Sequence, residues 1–233
     1  MEYNNKKSGD KTATIQHTAL TDKEKAVYKN DGDKKDTVML GDTAKRTKIG
    51  LCVTGSFCTF TNTLKTVDAL IDLGYDVTPI FSFNVATLDT RFFKQADFER
   101  LITEKTGKTP IKTIVDAEPL GTKDAVDLML VLPCTGNTLG KLANGITDTP
   151  VTLAVKAHLR NNRPVVIAVS SNDSLGANAR NIGRLLNTRN YYFVPFGQDA
   201  PTGKPNSLVA DFGFVPKTVE YALKGKQFQP IIL

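Results

Sequence analysis

Ile49-Gly50-Leu51-Cys52-Val53-Thr54-Gly55-Ser56-Phe57-Cys58-Thr59 and, eighty residues on, Met129-Leu130-Val131-Leu132-Pro133-Cys134-Thr135-Gly136-Asn137-Thr138 share one pattern. Each is an apolar strand that runs straight into a small, hydroxyl-rich turn with a helical stretch behind it. Such a turn leaves backbone N–H groups unpaired and aims a helix N-terminus at whatever binds there, which suits an anion such as a phosphate. Two of them predict a nucleotide or flavin phosphate at the carboxyl ends of a parallel sheet. A tight strand-to-helix turn with no ligand is the competing reading of each.

Working outward from these stretches, apolar runs near 48–53, 76–81, 112–115, 127–132, 164–169 and 191–194 read as strands. Helical faces are expected from Leu64 to Leu73 with a stop at Gly74, from Phe92 to Ile102 ending at Gly107, and over Leu139–Ile146, Val151–Leu159, Ala177–Leu186 and Lys217–Leu223. Near-continuous apolar strands alternating with helices imply a parallel sheet covered on both faces. Right-handed crossovers then give an α/β fold, a three-layer, doubly wound parallel sheet of the flavodoxin-like or Rossmann-like kind. Residues 195–205, rich in Pro and Gly, read as an ordered functional loop.

Residues 1–46 differ from the rest. They are rich in Lys, Asp, Asn and Thr and poor in large apolar residues, so we expect a disordered charged extension ahead of one α/β domain at 47–233. The net charge of +6 is shared unevenly: residues 1–48 carry 11 Lys/Arg against 8 Asp/Glu, half of the excess in about a fifth of the chain. The body shows no basic stripe with interleaved aromatics, which argues against nucleic-acid binding. No apolar run approaches the ~18 residues of a membrane span, and residues 1–46 show no apolar core followed by a small-residue cleavage site, so neither a membrane partner nor secretion is expected. Cys52, Cys58 and Cys134 fit a reducing compartment. None forms a C-x-x-C pair and only two histidines are present, so no metal site is expected. Cys52 reads as core, whereas Cys58 and Cys134 fall in the two turns and are candidates to line the site.

In the first turn Gly55 permits close backbone approach and Ser56 offers a hydroxyl to a phosphate. The turn is neither G-x-G-x-x-G nor a P-loop. In the second turn Pro133 ends the strand, Thr135, Asn137 and Thr138 supply hydroxyl and amide groups, and Thr138 is placed to cap the following helix. Lys141, Asn144 and Asp148 are spaced to share one face of that helix. Ser170-Ser171-Asn172-Asp173 and Phe81-Ser82-Phe83 are further polar turns at the same sheet edge, with Asp173 or Ser174 available as a cap. His158 reads as a packed or interface histidine and His17 lies in the extension, so no general base is evident. Arg91, Arg180, Arg184 and Lys204 are candidate carboxylate-binding cations.

These residues resemble a known family. Thr54-Gly55-Ser56 followed by Pro133-x-Thr135-x-Asn137-Thr138 is similar to the flavoprotein family of homo-oligomeric FMN-containing cysteine decarboxylases, whose second motif is typically P-A-S-A-N-T. A closer resemblance is to the B subunits of dipicolinate synthases. It is carried by Asp89-Thr90-Arg91-Phe92, Asp116-Ala117-Glu118-Pro119-Leu120-Gly121, Ser171-Asn172-Asp173-Ser174-Leu175-Gly176, Tyr192-Phe193-Val194-Pro195-Phe196-Gly197-Gln198-Asp199 and Lys204-Pro205-Asn206-Ser207-Leu208-Val209-Ala210-Asp211-Phe212. The resemblance covers about 48–232. It implies one half of an oxidoreductase that, together with the A subunit of dipicolinate synthase, oxidises a dihydrodipicolinate-type precursor to dipicolinate during sporulation, in the mother-cell cytoplasm of a spore-forming bacterium. It implies FMN here, NADP through the A subunit, and a trimer-based homo-oligomer. By matching position Gly55, Ser56, Ser82, Thr135, Asn137 and Thr138 would contact the flavin or its phosphate, with Thr54 of the same motif beside them; Asn172, and the cations Arg91 and Lys204, are the candidates for the substrate side. The decarboxylases carry a histidine after the strand that here ends at Phe81-Ser82, and a P-x-M-N motif where this chain has Ser170-Ser171-Asn172-Asp173. Those departures leave a non-catalytic accessory subunit, or an FMN-dependent decarboxylase-like flavoprotein, as alternatives.

Overall fold

The computed structural model describes residues 46–122 and 125–233. The expectations for residues 1–46 and for His17 therefore lie, apart from Arg46, outside the described residues.

Five strands run parallel: β1 (Lys48–Val53), β2 (Asp76–Phe81), β3 (Leu128–Cys134), β4 (Val165–Ser171) and β5 (Tyr191–Phe193). Their order is β2-β1-β3-β4-β5, the flavodoxin-like order, in which winding reverses between β1 and β3. Every residue of β3 is buried, and so are the last five of β1 and the first six of β4. A strand sandwiched between helix layers has no solvent face, which is why these runs are continuously apolar.

The helices are α1 (Phe60–Asp72), α2 (Phe83–Thr87), α3 (Gln95–Thr106), α4 (Ile114–Ala117), α5 (Gly136–Ala143), α6 (Pro150–Leu159), α7 (Ala179–Leu186) and α8 (Val215–Leu223). Helices α1, α3 and α8 gather on one face of the sheet, and α5, α6 and α7 on the other. The helices expected to stop at Gly74 and Gly107 do so, with φ of +85° and +67° at the two glycines. Phe60 of α1 stacks on Phe98 of α3 at 4.0 Å, and Phe57, Phe81 and Phe93 complete an aromatic cluster directly beneath the first turn.

Three expectations are corrected. The run 112–115 is not a strand. Only Ile111 bridges to Ile80, after which the Thr113 hydroxyl accepts the Asp116 N–H and starts α4. A local cap has overridden an apolar alternation. The sheet is also not wholly parallel. The end of β4 pairs antiparallel with β7 (Leu208–Ala210), and β7 pairs with β6 (Phe196–Gly197). The Pro/Gly-rich segment is thus the loop of a short hairpin that prolongs the sheet over the carboxyl end of β4. Finally, Pro133 does not end its strand. It lies in a register shift between Val131 and Cys134, where a proline's missing N–H costs no ladder bond.

His158, on α6, is 1% exposed and donates from Nε2 to the Pro164 carbonyl at 3.1 Å. The carbonyl can only accept, so Nε2 carries the proton of the neutral ring. Burial pushes its pKa down to about 4. The unfolded chain takes up a proton that the folded chain refuses, so stability falls as pH drops from about 6.5 toward 4. The expected loss from this group between pH 7 and 5.5 is about 1 kcal/mol. Denaturant midpoints measured across that range should slope less in His158→Gln than in the parent.

Candidate functional site

The turns after β1, β2, β3 and β4 meet at the carboxyl edge of the sheet, and specific bonds stitch them into one rim. Thr54, 1% exposed, donates from Oγ1 to the Pro133 carbonyl at 2.7 Å and accepts the Thr135 N–H at 3.0 Å. Its hydroxyl thereby locks the first turn to the second. Ser56 and Ser170 share a hydrogen bond of 2.6 Å between their hydroxyls, tying the first turn to the end of β4. Asp173 accepts from the Ser171 hydroxyl at 2.5 Å and from Asn178 Nδ2 at 2.7 Å, which pins the third turn to the approach to α7. Asp173 is therefore a cross-brace of that turn and not a cap of α7. Gly136 sits against this brace: a Cβ there would come within 2.6 Å of Asn178 Nδ2, Asp173 Oδ1 and Ser171 Oγ.

Helix α5 begins earlier than its sequence suggests. Thr135, not Thr138, is the N-cap, with its Oγ1 accepting the Thr138 N–H at 3.3 Å and lying 3.0 Å from the Thr138 hydroxyl. The N–H groups of Gly136 and Asn137, at the first two helical positions, have no partner among the described residues. The helix ends at Ala143, so the expected shared face of Lys141, Asn144 and Asp148 is not helical throughout. Lys141 instead folds onto Asp148 at 2.8 Å, and that ammonium holds the Asp148 carboxyl below its ordinary pKa.

Below the rim lies a cleft with two lobes. The smaller, about 240 Å³, is lined by hydroxyl and amide side chains, among them Ser82, Asn84, Thr138 and Thr149, with Lys141 at its wall. The larger, about 590 Å³, opens between the first turn, the Arg91–Phe92 turn, the third turn and the hairpin loop. Gly55, Thr135 and Asn137 line both lobes. A Cβ on Gly55 would meet only ordinary contacts, 3.4 Å to the Phe57 ring and 3.7 Å to Asn84, so the fold itself does not demand glycine there. The Ser82 hydroxyl is buried and has no hydrogen-bond partner among the described residues. A buried hydroxyl in that state is a donor and acceptor held in reserve.

The Arg91 turn is built by its neighbours. Thr90 Oγ1 accepts the N–H groups of Phe92 and Phe93, while Asp89 accepts the Gln95 N–H at 2.9 Å and pairs with Lys94 at 3.0 Å. The Gln95 N–H and then Lys94 hold the Asp89 carboxyl below its ordinary pKa. The Arg91 guanidinium lies over the Phe92 ring at 4.8 Å and makes no ion pair among the described residues.

The structure thus brings Thr54, Gly55, Ser56, Ser82, Thr135, Asn137, Thr138, Asn172, Arg91 and Lys204 to one cleft. Arg184 is elsewhere, donating to Asn144 Oδ1, and Arg180 does not line the cleft. Cys58 is exposed and lines the larger lobe. Cys134 does not line the site: it closes β3, fully buried, and burial raises its thiol pKa. Phe92 and Asp199 belong to the motifs that carry the resemblance but have no site role legible in the sequence, and the same holds for the bracing by Ser170. Asp199 and Lys204 bracket the Pro/Gly-rich loop, and that spacing was the available signal. Among the described residues no cluster of His, Cys, Asp and Glu is arranged to hold a metal ion, and no helix is long and apolar enough to cross a membrane.

Residues 39–211 match the family described as Flavoprotein. The B subunit of dipicolinate synthase of Bacillus subtilis is 47% identical over 189 residues, which span 81% of this chain and 94% of that protein. Among solved structures, the dipicolinate synthase B subunit from Bacillus halodurans C superposes with a TM-score of 0.74 at 44% identity, over 80% of this chain and 96% of the other. The FMN-dependent cysteine decarboxylase SpaF superposes with a TM-score of 0.55 at 22% identity, over 78% and 96%, a likeness of fold. With a flavodoxin-like strand order, a polar cleft at its switch point and these relatives, the chain belongs to the flavoprotein family and, within it, to the B subunits of dipicolinate synthases.

Proposed function

We propose that this chain is the FMN-carrying B subunit of a dipicolinate synthase, working with the enzyme's A subunit to oxidise a dihydrodipicolinate-type precursor to dipicolinate during sporulation. The observation that carries this reading is the two-lobed cleft at the β1/β3 switch point. One lobe is lined by hydroxyl and amide groups, and the larger is bordered by Arg91 and Lys204 together with Asp173 and Asp199.

The residues present fit FMN. The buried Ser82 hydroxyl lacks a partner, the Gly136 and Asn137 N–H groups are free at a helix start, and Gly55 leaves its backbone open to close approach. Thr54, Gly55, Ser56, Ser82, Thr135, Asn137 and Thr138 would hold the group. Thr54 contributes by fixing the rim, since its hydroxyl is already spent. Bound there, the flavin would supply a two-electron acceptor, which is what aromatising a dihydropyridine ring requires. The chain's own part is to bind and orient the ring acid and to exclude water. The A subunit would contribute NADP. Phe83, apolar, 44% exposed and lining the smaller lobe, suits the packing of a further copy in a trimer-based homo-oligomer.

One observation favours a second reading. Among the described residues the sole histidine is His158, buried against Pro164 and outside both lobes. A cleft without a histidine base suits an accessory role, shaping the site of the A subunit, more than it suits a decarboxylase. Reconstitution with FMN-loaded and FMN-stripped chain separates the readings, since an accessory role needs the chain but not its flavin. Dipicolinate formation from the precursor and NADP should need both proteins and fall when Asn137→Ala replaces the parent chain. Full activity from the A subunit without this chain would remove the proposal.

Ser82→Ala probes the fit directly. It removes a buried hydroxyl that has no partner among the described residues, so thermal stability should hold or rise slightly. Affinity for FMN, followed by quenching of flavin fluorescence, should fall at least about tenfold.

A further inference from the structure

We propose that Arg91 and Lys204 are the two carboxylate-binding groups of the larger lobe, and that Asp199 is a built-in competitor that holds Lys204 until a small dicarboxylate displaces it. The inference rests on the dipicolinate synthase reading for the identity of the ring acid. The pairing of two cations with one internal carboxylate comes from the cleft itself.

Four charged side chains line this lobe: Arg91, Lys204, Asp173 and Asp199. They are not equivalent. Both oxygens of Asp173 are engaged, one by the Ser171 hydroxyl and one by Asn178. Arg91 has no carboxylate partner among the described residues and is steadied by the Phe92 ring. Its planar fork accepts a carboxylate through two parallel bonds. Lys204 reaches Asp199 at 3.4 Å, longer than the roughly 2.7–2.9 Å of a strong charge-assisted bond. The pair is five residues apart in one hairpin loop. That loop is closed by bonds independent of the pair: Gln198 Nε2 donates to the Pro205 carbonyl, and the Ser207 N–H donates to the Lys204 carbonyl. The loop therefore keeps its shape when the pair opens. Asn172, exposed in the same lobe, offers a further amide to an incoming carboxylate.

The consequence is selection by charge number. A monocarboxylate that takes Arg91 gains nothing from Lys204 unless it also dislodges Asp199. A dicarboxylate takes both cations at once and replaces the internal carboxylate with its own. Asp199 thus weakens any anion that takes Lys204, while the selection for a dianion comes from the two cations acting together.

Titration calorimetry on the full chain with pyridine-2,6-dicarboxylate and pyridine-2-carboxylate tests this. The dicarboxylate should bind at least about tenfold more tightly than the monocarboxylate, and Arg91→Ala should cost about tenfold or more. Lys204→Ala should bring the dicarboxylate down to the affinity of the monocarboxylate, with Lys204→Arg restoring most of the difference. Asp199→Asn should raise dicarboxylate affinity several-fold, whereas loss of a merely structural carboxylate would lower it. No binding of either acid, unchanged affinity in Arg91→Ala or Lys204→Ala, or weaker binding in Asp199→Asn overturns the assignment. If these variants are silent while the reconstituted pair still makes dipicolinate, the assignment falls and the proposed function stands. If they respond as stated while the pair makes none, the dicarboxylate site stands and the proposed reaction falls.

Discussion

A Gly136→Ala chain is expected to lose flavin binding and about 2 kcal/mol of stability. The added methyl would sit 2.6 Å from three polar atoms, Asn178 Nδ2, Asp173 Oδ1 and Ser171 Oγ, each already held by another hydrogen bond of the brace. None is the free end of a flexible chain, so relief requires either the third turn to move out or the start of α5 to move away. The first movement displaces Ser171 and Asp173 and the second displaces Gly136 and Asn137, all of which line the larger lobe. Gly140→Ala, on the same helix, is the control. Its Cβ would meet Asn181 Nδ2 at 3.5 Å, an ordinary contact. Helix propensity then makes the change neutral or stabilising by up to about 1 kcal/mol. Urea denaturation and FMN titration of the two variants side by side check both halves of the expectation.

Thr54→Val is expected to cost about 3 kcal/mol and to weaken flavin binding with it. Valine keeps the shape and the β-branch but leaves the Pro133 carbonyl and the Thr135 N–H without their partner in a place where Thr54 is 1% exposed. Removing one side of buried hydrogen bonds costs more than the bonds themselves contribute, because the orphaned groups lose water as well. Thr135 is also the cap of α5, so its displacement loosens the helix start. Thr54→Ser keeps the hydroxyl and should lose only about 1 kcal/mol, the worth of a buried methyl. Thermal unfolding of the three chains gives the order parent, Ser, Val. A Val variant as stable as the Ser variant would mean that the hydroxyl does not lock the rim.

The parallel core was legible in the sequence because strands covered on both faces are written as unbroken apolar runs, as in Leu128–Leu132 and Val165–Val169. The hairpin of β6 and β7 was not, since elements of two and three residues carry no periodicity to read. The segment from Ile111 to Val115 alternates like a strand, and only the Thr113 cap, a local competitor, decides otherwise. For the site, residue type was readable and partnership was not. The resemblance puts Thr54 and Ser56 alike against the flavin, yet the hydroxyl of the first is spent on residues 79 and 81 positions away and that of the second on Ser170, 114 positions away. Such bonds depend on strand order, which brings the ends of β1, β3 and β4 together. Asp199 ends one of the motifs that carry the resemblance, but a lone acid in a Pro/Gly-rich loop has no readable role until the loop folds over the cleft.

Flavin in the cleft between the first two turns is what the proposed function stands on. The decisive experiment is a visible absorption spectrum of the purified chain, with mass spectrometry of what it releases on denaturation. The protein should be yellow and release FMN, and a Ser82→Ala variant should carry less of it with unchanged stability. A colourless chain that fails to take up added FMN at concentrations well above those at which flavoproteins saturate would contradict it.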